Sequence, residues 1–177
     1  MEKSFKTVPV CSLLAVSLIT VFSLYSSSAL KSVPCGHDLG SMLVSNFVHV
    51  DLSHLVANLF ALYSLARVEQ EIKGKKFCSL IIFLVIFTSI VEVIAHKINS
   101  NLKCSIGFSG VLFGITTWEL ITKKKIDFYL ISSIIAMVTL PSVQDKNASL
   151  AGHAIGAFAG IVGGVLWNKL GPKINSV

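Results

Sequence analysis

Ile106-Gly107-Phe108-Ser109-Gly110-Val111-Leu112-Phe113-Gly114 sets a serine between two glycines, six residues after Lys103, where a long apolar run begins. Membrane helices often carry serine, so Ser109 alone says little. Its weight depends on what else reaches the same depth.

The composition sets the medium. Of 177 residues, 53% are hydrophobic and 14% charged, and the mean hydropathy is +0.76. An ordinary soluble domain carries about 25% charged residues. Several apolar stretches approach 20 residues, the length that crosses a bilayer. Lipid admits only helices and closed barrels, because every backbone polar group must be satisfied internally. The runs are continuous rather than alternating, so the expected fold is all-α, a polytopic membrane bundle of six helices with no separate soluble domain. The net charge of +6 lies beside the apolar runs. It therefore points to orientation in the bilayer and not to nucleic acid. Cys11, Cys35, Cys78 and Cys104 have no metal-like spacing and read as four unrelated thiols. Cys35 and Cys104 do fall on one side of the expected bilayer, where they could pair.

Residues 1–7 form a polar segment, 8–168 the membrane domain and 169–177 a short tail. The expected spans are 8–30, 52–66, 77–95, 104–122, 128–140 and 149–168. The first resembles a signal peptide but is long and has a weak cleavage site, so it reads as a retained span. The loop 31–48 is apolar enough in part to lie in the interface, and 67–76 is expected to be a charged turn. Six spans bring both termini to one side. Eleven lysines and arginines fall there against four on the other (Lys31, Lys97, Lys103 and Lys146), which puts both termini in the cytosol. Asn147-Ala148-Ser149 is a formal glycosylation sequon pressed against the last span, and is expected to be unused.

The second, fourth and sixth spans all descend from the outer side. His54 lies three residues past Asp51, Ser109 six past Lys103 and His153 seven past Lys146. Six or seven helical residues reach about 10 Å. A hydroxyl, two imidazoles and the Asn58 amide thus share one shallow layer. Ionisable residues inside a membrane are costly and point to function. Gly152, Gly156, Gly160 and Gly164 recur every fourth residue, as do Gly110 and Gly114. Small residues at this spacing let helices approach closely. Packing along these stripes would let Ser109 and His153 meet, as a hydroxyl and its imidazole base. His54 and Asn58, four apart on one helix face, can donate to an oxyanion, as can the Ser109 backbone N–H.

Each residue has a plainer account: Ser109 as a packing residue, either histidine as a hydrogen-bonded structural one, the glycines as packing alone. None of these explains why all share a layer. Glu119 reads as interfacial, and Glu92 as a structural partner of His96. No metal site is expected, since His49, His54 and His153 lack an acidic ligand at a persuasive position, and no cofactor is implied.

These residues resemble the rhomboid family of intramembrane serine proteases, in its minimal six-span form and over nearly the whole chain. Three motifs carry the likeness in the family's order: His49-x-x-x-x-His54-x-x-x-Asn58, Gly107-Phe108-Ser109-Gly110, and His153-x-x-Gly156-x-x-x-Gly160. The resemblance implies Ser109 as nucleophile and His153 as base without a third carboxylate. It also implies that His54 and Asn58 assist the Ser109 amide at the oxyanion, that His49 shapes the site, and that Gly107 leaves room for substrate backbone. The first outer loop lacks the Trp-Arg pair of many members, and Gly152 stands where alanine is frequent. The expected activity is hydrolysis of peptide bonds in or beside transmembrane helices of other proteins, with the bilayer as the other partner and the site opening to the extracytoplasmic side. The alternative is a catalytically silent relative that binds and steers client helices. A transporter is disfavoured, because spans four and six turn apolar below Ser109 and His153. Oligomeric state is not legible.

Overall fold

The computed structural model describes residues 7–30, 38–123, 128, 132 and 150–170. These form six helices: α1 (Pro9–Ser26), α2 (Leu39–Ser45), α3 (Leu52–Ile72), α4 (Gly74–Ile98), α5 (Ser109–Lys123) and α6 (Leu150–Leu170). Among the described residues there is no strand. The expected fifth span lies outside them apart from Phe128 and Ser132, as do Cys35, the sequon and both chain ends.

Three helices, α1, α4 and α6, are long and apolar enough to cross a membrane. The others fall short for identifiable reasons. α5 has 15 residues, about 22 Å of helix against about 30 Å of hydrocarbon. α3 has 21 residues but carries Arg67, Glu69 and Glu71 in its last two turns. The outside of the bundle is nevertheless lipid-like. On α4, Ile82, Ile86, Ile90 and Ile94 are all exposed, and their spacing of four sets them along one face. A stripe of that kind is tolerated against acyl chains and would be an association patch in water. Leu18, Leu62, Leu65, Phe77, Leu84, Phe108, Leu112, Ile115 and Trp118 fill the core between the helices.

The structure departs from expectation at four places. The loop 31–48 contains α2, started by Asp38, whose carboxylate accepts from Ser41 N at 2.9 Å and Ser41 Oγ at 2.6 Å. The supposed charged turn 67–76 is mostly helix. α3 runs through Ile72, and the chain breaks only at Lys73, whose φ of 71° lies in the left-handed region. Helix survives there because its charges find partners inside the protein. Arg67 Nη1 lies 2.6 Å from Glu119 Oε1. Glu69 reaches the start of α1, where its carboxylate accepts from Val10 N at 2.9 Å and Cys11 N at 2.8 Å. Those amides would otherwise be unsatisfied, and Pro9 at the first position has no N–H to satisfy. Glu119, expected at the interface, is instead only 1% exposed and held by both Arg67 and Lys123. Finally, residues 104–108 are not helical, so α5 begins at Ser109 itself.

The cysteine expectation also changes. Cys11 and Cys78 are free, but Cys104 is disulfide-bonded, five residues before Ser109. The four thiols are therefore not unrelated.

α5 and α6 make the most extensive helix contact, and the glycine stripes are its cause. A Cβ on Gly156 would land on the Gly110 carbonyl, and one on Gly160 on the Gly114 carbonyl. Gly152 and Gly164 are closed in the same way by Ser105 and by Ile121. At this separation the Thr117 hydroxyl reaches across to the Ala157 carbonyl at 2.9 Å.

Candidate active site

Close packing of α5 on α6 brings Ser109 and His153 together. Ser109 opens α5 and is buried, while His153 sits in the first turn of α6 and is half-buried. Ser109 Oγ lies 3.0 Å from His153 Nε2, within reach of proton transfer. The His153 ring packs on Phe113, with centroids 4.6 Å apart and planes inclined at 32°. Phe113 follows Ser109 by four residues, so one face of α5 supplies both the hydroxyl and the surface that orients its partner. Sequence reasoning missed Phe113. The spacing was its only signal.

The loop before Ser109 is held on several sides. Gly107 N donates to Ser45 O at 2.9 Å, tying the loop to the end of α2. Gly107 has φ of 105°, a conformation open to glycine and strained for other residues. A Cβ there would stand 2.6 Å from His54 Cε1 and 2.8 Å from His54 Nε2. The space left by Gly107 is thus taken up by the His54 imidazole. Phe108 is fully buried, 5.6 Å between ring centroids from Phe47. Ser105, in the same loop, hydrogen-bonds the buried Glu92 carboxylate. His96 Nδ1 donates to the backbone carbonyl of Glu92 at 2.9 Å.

The start of α3 supplies the remaining polar groups. The Asp51 carboxylate accepts from His54 N at 2.7 Å and from the Ser53 hydroxyl. Burial opposes its ionisation, but these bonds hold its pKa below the ordinary value. His54 meets His49 edge to face, with centroids 5.0 Å apart. His49 is fully buried, which pushes its pKa down to about 4. It is therefore neutral near pH 7, with Nδ1 donating to Phe47 O at 3.3 Å and Nε2 without a hydrogen-bond partner. Asn58 is buried one turn below His54 and donates to its carbonyl at 2.8 Å, leaving Oδ1 without a partner. His49, His54 and Gly107 thus form one contacting set, joined along the chain through Phe108 to the Ser109–His153 pair, and Asn58 borders it through the His54 backbone. Among the described residues no three His, Cys, Asp or Glu side chains converge as a metal site.

The arrangement is that of an all-helical membrane protein with a buried hydroxyl–imidazole pair at the start of a helix. A family model, the rhomboid domain, matches residues 37–169. A rhomboid-named protein, L523 of Acanthamoeba polyphaga mimivirus, is 32% identical over 126 residues, covering 71% of this chain and 73% of that protein. No solved structure matches. The chain belongs to the rhomboid family, which supports a function of the intramembrane-protease kind at the level of the family.

Proposed function

We propose that the protein is an intramembrane serine endopeptidase that cleaves peptide bonds in or beside transmembrane helices of other membrane proteins. The observation that carries this reading is the 3.0 Å approach of Ser109 Oγ to His153 Nε2. His153 takes the hydroxyl proton as Ser109 attacks the scissile carbonyl, then returns it to the leaving amine. The resulting acyl-enzyme is hydrolysed by water, activated by the same imidazole. The Ser109 N–H lies in the first turn of α5 and has no partner within its helix. It donates to the developing oxyanion, assisted by His54 and by the N–H of Asn58 not already given to His54 O. A substrate helix must unwind locally to expose its carbonyl, so helix-weakening residues near the cut favour cleavage.

The membrane arrangement belongs to the same proposal. Six spans cross the bilayer within residues 8–168, with both termini in the cytosol and the site opening to the extracytoplasmic side. The support is the excess of Lys and Arg at one end of the bundle.

The test is cleavage of a single-span reporter, with glycines near the outer end of its helix, by the full chain in proteoliposomes. Ser109→Ala and His153→Ala are each expected to reduce cleavage by about 10,000-fold or more while the protein still inserts. Unchanged cleavage by Ser109→Ala would refute the assignment.

A further inference from the structure

We propose that the lysine-rich end of the bundle carries a binding site for an anionic glycerophospholipid, in a groove between α4, α5 and α6. This site is far from Ser109 and does not depend on the protease reading. The groove has a volume of about 280 Å³, and Leu80, Phe83, Trp118, Leu166 and Trp167 are among its lining residues, with Ser79 at its edge. Apart from Ser79, these walls offer only hydrocarbon.

The mouth of the groove is positive. Lys76 precedes Leu80 by four residues and so stands on the groove face of α4, one turn nearer the helix start. Its Nζ lies 5.8 Å from the centroid of Trp167. Lys73, Lys75, Lys76 and Lys169 are exposed, and among the described residues none has a carboxylate partner. Among the described residues the acids of this end are already committed. Glu119 is taken by Arg67 and Lys123, Glu71 by Lys123, and Glu69 by the first amides of α1.

Two indole rings stand in the groove wall. The Trp118 and Trp167 rings meet edge to face, with centroids 5.2 Å apart. Both Nε1 atoms are buried, and among the described residues neither has an acceptor. An unmet donor in a hydrocarbon setting is unfavourable.

Along α4 the order into the bilayer is therefore cation, then apolar trough, with the Trp118 and Trp167 rings in its wall. Leu80 and Phe83 lie four and seven residues beyond Lys76, about 6 and 10 Å along the helix. A diacyl lipid presents the same order in complement: a phosphate for Lys76 and an acyl chain for Leu80 and Phe83. The unopposed lysines select an anionic headgroup over a zwitterionic one, since each cation near a membrane surface favours anionic lipid.

The test is native mass spectrometry of the full chain in detergent, titrated with phosphatidylglycerol or with phosphatidylcholine of the same acyl chains. The expected result is preferential retention of phosphatidylglycerol. Lys76→Gln should lower that retention about fivefold and leave phosphatidylcholine unchanged. Ser79→Trp, which places an indole in the groove from an exposed position, should lower retention of both lipids. Thermal unfolding of each variant establishes that it is folded, and Lys76→Gln, at an exposed side chain, stands as a test without the other. Equal retention of the two lipids by the wild type, or phosphatidylglycerol retention that ignores Lys76→Gln, would overturn the proposal.

Discussion

At the scale of single residues, the site depends on side chains that are present and on one that is absent. Gly107 combines φ of 105° with a Cβ position already occupied by the His54 ring. Gly107→Ala must therefore shift either the loop before Ser109 or the imidazole beside it. Cleavage should fall by at least about tenfold, with a loss of about 1–3 kcal/mol in stability from overpacking, read by reporter cleavage and thermal unfolding. His49 makes a separate prediction. Burial holds its folded pKa at about 4, below the ordinary value near 6.5, so the unfolded chain takes up the proton first. The stability from neutral His49 is complete above about pH 6.5 and is lost as pH falls toward 4. The slope approaches about 1.4 kcal/mol per pH unit. Unfolding midpoints between about pH 7 and pH 5 should fall, and His49→Gln should flatten that fall.

At the scale of elements, α5 against α6 is the decisive pair. The stripes Gly110–Gly114 and Gly152–Gly164 were legible in the sequence because a spacing of four marks a helix face by itself. So was the meeting of Ser109 with His153, since both flank the stripes. Other features depended on contacts between distant segments, which no local pattern displays. The burial of Glu119 depends on Arg67, 52 residues away, and the start of α1 is satisfied by Glu69, 58 and 59 residues on. From sequence, a charged stretch reads as a solvated turn, so α3 seemed to stop early. The packing of α5 on α6 gives a graded test. A Cβ at Gly156 meets backbone, 2.8 Å from the Gly110 Cα, and the helices must part. At Gly163 the nearest atom is Phe83 Cε1 at 3.0 Å, on a side chain that can turn. Gly156→Ala should therefore abolish most cleavage, whereas Gly163→Ala should retain most of it, measured per folded molecule in proteoliposomes.

At the scale of the whole molecule, the two ends of the bundle differ in kind. One end gathers the Ser109 cluster from α3, α5, α6 and the loop after α2. The other is a charged clasp of Arg67, Glu119, Lys123 and Glu71 joining α3 to α5. Glu119 is almost fully buried, so Glu119→Ala leaves Arg67 without its counterion and should destabilise by about 3 kcal/mol. Glu71 is the exposed member, at 40%, and Glu71→Ala should change stability by less than about 1 kcal/mol. Both are distant from Ser109, so activity per folded molecule should be preserved. The central claim is that Ser109 is a nucleophile activated by His153. Its most direct measurement is labelling of the detergent-solubilised full chain with a fluorescent fluorophosphonate, which forms a covalent bond only with an activated serine. The expected result is label on the wild type and none on Ser109→Ala or His153→Ala; equal label on the wild type and Ser109→Ala would contradict it.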